Sequence, residues 1–375
     1  MKKYFSLVLS LTASAILITS CQSDNNESVS SITQAKPVVF ADVPDEVVES
    51  EPTGNVIDGN KKELREVVRK QQVLSPVQLI DGSLSEVVYP GCVLRGDAFM
   101  EGEYTPIAVK NPQPITLSAS LNGKDLNVSQ TAIPTLSNVR QAINNLMYPN
   151  VGEINYQNAS SYIDYSSNEV TTTESFNKTF QIHTKVNVLA GIIKAKFGFG
   201  TRKFSLNKKH YVLVKARQQF YNISVDPKQV DQWGEMENVG EYEPVYISSV
   251  DYGRVVSFLV ETTESADSIK KMIEGGISVA FKKIGGSVEA SYSKQWNRYF
   301  KEEKMHVLVA GGPWEYARKA QKSYEGVMDF LEIPGARNII ESCVPISYRV
   351  RSIRTNREIE VKNFYTEERF VPEKR

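Results

Sequence analysis

Two stretches of the chain alternate between apolar and polar residues with a period of two, and each changes its phase once. In residues 176–188 the apolar residues take the even positions, and after Ala190-Gly191 they take the odd positions up to residue 199. Residues 277–297 repeat the pattern, with odd apolar positions before Lys282-Lys283 and even ones after it. A period of two is typical of a strand with one apolar and one polar face, so each stretch predicts a strand, a turn and a strand.

The apolar positions of these two stretches are candidates for a lipid-facing surface. Each arm has about the length of a tilted membrane strand, roughly 9–11 residues. The ordinary alternative is a pair of half-buried hairpins in a soluble sheet, since alternation is common in antiparallel sheets. The candidate positions are Phe176, Phe180, Ile182, Val186, Ile193, Phe197, Phe199, Val279, Ile284, Val288, Ala290 and Tyr292.

Helix signals lie beside the second stretch. Asp267 or Ser268 would cap a helix that carries Ile269 and Met272, and Gly275-Gly276 would end it. A segment that is helical in the soluble protein and forms a β-hairpin in a bilayer is what a pore-forming protein requires.

The N-terminus predicts an exported lipoprotein. Lys2 and Lys3 precede an apolar run, residues 4–18, that suits a signal peptide and is short for a membrane span. The run ends in Ile18-Thr19-Ser20-Cys21, which resembles a bacterial lipobox, so we expect lipidation at Cys21 after removal of residues 1–20. Polar and acidic residues then predict a flexible tether over residues 21–55. We expect the protein at the outer membrane or cell surface, or released from it.

Charge and motifs exclude several classes of function. The chain has 44 basic and 44 acidic residues, so bulk charge favours no nucleic-acid partner. Its three histidines share no metal-ligand spacing, and there is no phosphate-binding glycine loop or nucleophile elbow. We therefore expect no cofactor and no enzymatic activity. Besides Cys21, Cys92 and Cys343 remain, either as a disulfide or as two free thiols.

The rest of the chain predicts an α+β protein with much sheet. A short helical pattern covers Glu63 to Val73, and a second helix is predicted from Ser137, as N-cap, to Met147. An Asn122-Gly123 turn fits a hairpin. Residues 211–225 and 245–263 are predicted to form long strands.

The run PVYISSVDYGR, from Pro244 to Arg254, resembles the signature of the thiol-activated (cholesterol-dependent) cytolysin family. Other family landmarks follow in order over residues 56–370, including Gln219 to Asp226 and Val344 to Tyr348. The resemblance implies a bent, twisted antiparallel sheet flanked by two helical clusters that become transmembrane hairpins, with an α/β body and a thin β connector. The implied divisions are residues 56–174 for the first part of body and connector, 175–225 for the first hairpin cluster, 226–261 for the second part of the body, 262–335 for the second hairpin cluster and 336–375 for the last part of body and connector.

The resemblance also suggests roles for two short motifs. Gly311-Gly312 corresponds to the bend of the central sheet where an edge strand leaves so that a neighbouring subunit can pair. Tyr252, Gly253 and Arg254 form the family's most recognisable strip, and we expect Arg254 to satisfy buried carbonyls or a carboxylate.

The chain departs from the family pattern at its end. The family ends in a β-sandwich that recognises cholesterol, whereas this sequence stops at Arg375, so we expect no receptor-binding domain and claim no cholesterol recognition. The sequence thus predicts a pore-forming subunit that oligomerises with itself and with a longer cytolysin-like homologue, and contacts target-membrane lipid. The alternative is a non-lytic surface lipoprotein that uses the same fold as a binding scaffold.

Replacing the lipidated cysteine tests the predicted anchor. Cys21→Ala removes the thiol that would carry the lipid, so we expect the protein to move from the membrane fraction to the soluble fraction. Detergent-free fractionation measures this, and a variant that stays in the membrane fraction like the wild type contradicts the lipobox assignment.

Overall fold

Long antiparallel strands and shorter helices alternate along the chain. The structure is a computed structural model that describes residues 31–57, 59–121, 126–151, 162–198, 209–282, 287–302, 304–332 and 340–373. Its strands are β1 (Glu46–Ile57), β2 (Lys61–Leu74), β3 (Val77–Gln78), β4 (Val93–Leu94), β5 (Val109–Lys110), β6 (Ile115–Ala119), β7 (Ser129–Ala132), β8 (Tyr162–Glu169), β9 (His210–Val225), β10 (Glu235–Met236), β11 (Val245–Thr262), β12 (Met305–Ala310), β13 (Val344–Ser352) and β14 (Val361–Pro372). Its principal helices are α1 (Gly96–Met100), α2 (Leu136–Met147), α3 (Phe176–Phe180), α4 (Val186–Phe197), α5 (Ala266–Lys282), α6 (Ser287–Lys301), α7 (Trp314–Ala320) and α8 (Tyr324–Leu331).

The central sheet is built on two neighbouring strands, β9 and β11, which the sequence predicted to within one residue at each end. They pair antiparallel over nearly their whole length. At the body end, β13 flanks β11 and β6 flanks β9; at the other end, β12 flanks β11 and β8 flanks β9. Two continuous strands therefore connect the body to the half of the sheet that carries helices α3 to α8. Antiparallel sheets with helices confirm the predicted α+β class.

A separate thin sheet has the order β1-β2-β14. It corrects two predictions. The residues from Glu63 to Val73 form a strand and not a helix, because β2 is paired on both sides, which outweighs local helical pattern. The predicted tether of residues 21–55 is wrong for Glu46 onwards, since β1 pairs with β2.

The segment before β1 also packs on the protein. Ile32 and Val38 are buried in the body core. The backbone at Lys36 exchanges hydrogen bonds with Glu241 and Glu243, at the start of the β11 region. Only residues 21–30 of the predicted tether lie outside the described residues.

Helix α2 confirms the helix predicted from Ser137 to Met147. Its N-cap is Thr135 and not Ser137, so the predicted cap was wrong by two residues. The Asn122-Gly123 turn lies outside the described residues.

The two alternating stretches form helices here, not strands. The first contains α3 and α4, and the second contains parts of α5 and α6. Helix α5 continues through Gly275-Gly276, where the sequence predicted its end. The reason is packing: a Cβ on Gly275 would lie 2.2 Å from the Tyr292 ring of α6, so glycine permits the two helices to approach closely. Among the described helices, none is long and apolar enough to cross a membrane.

Lys215 of β9 is buried between the central sheet and α3. Its ammonium donates to the carbonyl oxygen of Phe180, at 3.0 Å, and to the side-chain oxygen of Gln78. Burial lowers the pKa of Lys215 to about 7; the charge of Arg217 adds to the lowering and Asp164 opposes it. The contact between the sheet and α3 thus contains an amine that is held among neutral acceptors.

The pH dependence of stability tests this environment. An unfolded lysine titrates near pH 10.4. Between pH 7 and about 10 the unfolded chain therefore binds a proton at Lys215 that the folded protein does not bind. The free energy of unfolding consequently rises with pH in this range. In Lys215→Met we expect that rise to be shallower by up to about 1.4 kcal/mol per pH unit. Urea unfolding at pH 7, 8 and 9 measures the slope.

The two acceptors that the methionine leaves unpaired lower stability equally at every pH, so they do not change the slope. Lys301→Met, at an exposed lysine, is the control for the loss of one charge. Parallel curves for the wild type and Lys215→Met would show that Lys215 is not held in this way.

Candidate functional site

The two faces of the central sheet are covered by different helices. One face, which we call the bundle face, packs against α5, α6 and α8. Its strand residues are Val212, Val214, Ala216, Val256, Phe258 and Val260, with Tyr165, Val307 and Val309 at the margins. The opposite face packs against α3 and α4 through Leu213, Leu259 and Leu308. The helices predicted to become hairpins therefore lie on both sides of one sheet.

The candidate lipid-facing positions divide into three groups in this structure. Phe176, Phe180, Ile182, Ile193, Phe197 and Val279 are buried. Val186, Val288 and Ala290 are exposed, and Tyr292 is half-buried. Phe199 and Ile284 lie outside the described residues. Packing against the sheet covers most of the larger apolar side chains in this set, which limits the exposed apolar surface.

Polar contacts hold the α3 region on the thin sheet. The Asn177 side chain donates to the Phe364 carbonyl at 3.0 Å, and Gln72 donates to the Asn177 carbonyl at 2.7 Å. Asn363 donates to the Ile182 carbonyl at 2.7 Å. Each such hydrogen bond contributes about 1 kcal/mol net, in addition to the burial of Phe176, Phe180 and Ile182 in the apolar cluster on the opposite face.

A buried ionic group lies where β9, β11 and β13 meet. Arg217 donates to the Ser347 hydroxyl at 2.7 Å, and Ser347 donates to Asp251 at 2.5 Å. Gln219 and Asn222 donate to the other oxygen of Asp251, at 2.9 and 2.7 Å. Sequence reasoning missed this group, although four of its residues fall inside the family landmarks, because spacing alone does not show which strands become neighbours.

The signature strip has a packing role at each residue. Tyr252 stacks on Tyr221 with ring centroids 5.0 Å apart. A Cβ on Gly253 would lie 1.9 Å from the Gln218 carbonyl oxygen, so no other residue fits there.

Arg254 anchors the end of α8 on the sheet. Its guanidinium donates to the carbonyl of Leu331 at 3.2 Å and of Glu332 at 2.6 Å, and to the Gln218 side chain at 2.6 Å. Gln218 donates to Leu331 as well, at 2.9 Å. Of the two acceptor types expected for Arg254, carbonyls are the ones found. A cation at a helix C-terminus also faces the negative end of the helix dipole. Burial lowers the pKa of Arg254 to about 10, so the residue stays charged at neutral pH.

Gly311-Gly312 directly follows the edge strand β12 and precedes α7. Both glycines have positive φ, +74° and +79°. A Cβ on Gly312 would lie 2.4 Å from the Phe330 ring, and one on Gly311 would lie 2.7 Å from the Gly253 carbonyl oxygen. The chain here turns out of the sheet into a helix. Larger side chains would therefore strain the soluble fold itself, and substitutions at these glycines do not isolate a hinge movement.

The cysteines show no bridge. Cys92 and Cys343 are free thiols, and burial raises the pKa of each to about 12. Of the two alternatives, the structure has the free thiols. Cys21 lies outside the described residues. In the described part of the chain, no group of three or more His, Cys, Asp or Glu residues is placed to hold a metal ion.

Solved structures share this architecture. Listeriolysin O superposes with a TM-score of 0.64 at 20% identity, covering 92% of this chain and 74% of that one. The human-specific toxin intermedilysin gives 0.63 at 20% identity, covering 93% and 74%. At these identities the likeness shows a common fold.

Sequence comparison gives the family. Perfringolysin O of Clostridium perfringens is 24% identical over 359 residues, which cover 91% of this chain and 69% of that protein. Listeriolysin O of Listeria monocytogenes is 25% identical over 343 residues, covering 85% and 61%. The family model described as thiol-activated cytolysin matches residues 38–369. This chain therefore belongs to the thiol-activated cytolysin family.

Proposed function

We propose that this protein is a pore-forming subunit that assembles edge to edge through its central sheet and inserts two β-hairpins into a target membrane. Family and fold support a pore-forming toxin. The hairpins would form from the residues between β8 and β9 and from those between β11 and β12. Each of these segments begins and ends at a strand of the same sheet, so unrolling its helices lengthens strands that already exist.

The proposal rests on one observation: whether the apolar residues next to strands β8, β9, β11 and β12 have odd or even numbers. Side chains alternate along a strand, so odd or even numbering fixes the face unless a bulge intervenes. On β9 and β11 the even residues lie on the bundle face. On β8 and β12 the odd residues lie there, as Tyr165 and Val307 show.

Extending β8 and β9 gives the first hairpin. The apolar positions after β8 are even, such as Phe180 and Val186, and those before β9 are odd, such as Ile193 and Phe197. Even residues of β8 and odd residues of β9 both lie on the face opposite the bundle face. The first hairpin would thus have all its apolar side chains on one side.

Extending β11 and β12 gives the second hairpin on the same side. Val279, after β11, is odd, and Val288 and Ala290, before β12, are even. These numbers again belong to the face opposite the bundle face. A slip of one residue at any strand would reverse its faces, so agreement at all four strands supports a continuous wall with one lipid-facing side.

The polar partners would then line the water-filled lumen. Lys194, Lys196 and Glu289 have the numbering of the bundle face. Charge is costly on the lipid side of a membrane strand, about 2–4 kcal/mol near the midplane, and inexpensive on the lumen side. The bundle face would become the lumen side after α5 and α6 leave it.

The remaining parts of the proposal concern location and targeting. We propose that lipid at Cys21 retains the protein at the outer membrane or cell surface, and that a longer cytolysin-like homologue supplies target recognition. The alignment covers 69% of perfringolysin O, so part of that longer relative lies outside the aligned region. The lipobox supports the first part and the shorter alignment supports the second.

Adjacent residues that are both exposed in the soluble form test the membrane assignment. Val288 and Glu289 are exposed neighbours on α6, and so are Val186 and Asn187 on α4. Single cysteines are introduced at these four positions in a Cys21→Ala, Cys92→Ala, Cys343→Ala background and labelled with an environment-sensitive dye. Each labelled protein is then added to liposomes with and without the longer homologue. We expect quenchers attached to acyl chains to quench positions 186 and 288 only, and only after oligomerisation.

The neighbouring residue is the matched control within each pair. Quenching of both members or of neither, in a preparation that leaks its liposomes, would contradict the assignment of these segments to the pore wall. A preparation that binds its target without leakage would instead favour the non-lytic scaffold.

A further inference from the structure

Trp314 is the most exposed large apolar side chain among the described residues, at 79% of its surface. It is the first residue of α7, directly after Gly311-Gly312-Pro313. The other apolar residues of α7 are covered: Tyr316, Ala317 and Ala320 pack into the helices of the bundle face. An exposed indole beside a sheet edge is unusual, since tryptophan is enriched where proteins bury surface against a partner.

One row of the central sheet connects the Trp314 edge to the opposite edge. Register places Ile163 of β8 beside Gln218, and Gln218 beside Arg254 of β11. Gly311 continues the row, because a Cβ there would lie 3.2 Å from the Arg254 Cβ. Ile163 is therefore level with the glycine pair, at the other margin of the same sheet.

Ile163 also lies on the same face as α7. It is two residues before Tyr165, which packs on the bundle face, and alternation puts both on that face. Ile163 is 37% exposed, and at the other margin the exposed Trp314 follows Gly311 by three residues.

The strand directions permit the two margins to meet. Strands β8, β9, β11 and β12 are each antiparallel to the next. β12 of one copy and β8 of another can thus pair antiparallel and extend the sheet with its faces aligned. Within the described residues, β12 pairs only with β11 and β8 only with β9, so neither strand has a second strand partner along these segments.

We propose that Trp314 of one copy packs on Ile163 of the next copy, on the bundle-face side of the joint between β12 and β8. This inference rests on the proposed function and adds the contact that aligns neighbouring subunits. The occupant is a second copy, because Ile163 lies at one margin of this row and α7, which begins with Trp314, starts three residues after Gly311 at the other, and edge-to-edge assembly joins these two margins. Such an interface is head-to-tail, so repeating it gives a ring or an arc.

Cross-linking between copies tests the contact directly. Trp314→Cys and Ile163→Cys are made singly in the Cys21→Ala, Cys92→Ala, Cys343→Ala background, mixed, added to target liposomes together with the longer homologue and oxidised. The mixture should give cross-linked dimers and nothing larger, because each chain carries one thiol. A chain that carries both substitutions should give a ladder of higher oligomers.

Assembly strength provides the second measurement. Trp314→Ala should raise the protein concentration needed for half-maximal oligomer formation about tenfold or more, as for a residue at the centre of an interface. Tyr148→Ala removes an exposed aromatic side chain from the body, where no contact between copies is proposed, and should change this concentration less than about twofold. Because both side chains are exposed, we expect both variants to fold, and circular dichroism checks this.

The outcomes separate this contact from the proposed function. If the wild type assembles and causes leakage but the mixture of single-cysteine chains does not cross-link, the Trp314 contact is overturned and the pore proposal stands. Normal assembly of Trp314→Ala would have the same meaning. Absence of assembly and leakage in the wild type with its homologue would overturn the proposed function itself.

Discussion

One geometric constraint governs both the soluble fold and the proposed pore: alternate side chains of a continuous strand lie on opposite faces of its sheet. Strands β9 and β11 carry this alternation from the body into the half of the sheet covered by helices. The apolar bundle face binds one set of helices, and the opposite face binds the other. Because the alternation continues into the segments between these strands, the soluble sheet already specifies which side of each hairpin would meet lipid.

The two faces hold their helices by different means. The bundle face is apolar and covers a large cluster that includes Trp296 and Phe330. The opposite face also buries apolar side chains, including Phe176 and Phe180 of α3 against Leu213, and beside them Lys215 donates to the Phe180 carbonyl. Apolar burial contributes about 25 cal/mol per Å², whereas polar contacts that water can replace contribute little net stability. The α3 region is therefore held by both apolar burial and polar contacts, whereas the bundle face holds its helices mainly by apolar burial.

The sequence predicted the long strands and α2 well, because long periodic segments carry their own signal. The two-residue period predicted strands where the structure has α3, α4, α6 and the end of α5, whereas the helix signals near Asp267 predicted the start of α5 correctly. The helices depend on packing against the sheet, which the period does not show. The sequence also predicted a helix at β2, where pairing with β1 and β14 decides the structure. At the candidate site, the resemblance located Arg254 and Gly311-Gly312, but the partners of Lys215 and Asp251 depend on strand order. Trp314 was overlooked because exposure cannot be read from a sequence.

Infrared spectroscopy of the amide I band, on oligomers assembled on liposomes with the longer homologue, tests the conversion of helices to strands most directly. Helices α3 to α6 should disappear from the assembled protein, with an equal gain of strand and no change in the body. Isotope labelling of this chain separates its signal from that of the homologue. Unchanged helix content in oligomers that release liposome contents would contradict the conversion, and the pore would then have to be built from other parts of the complex.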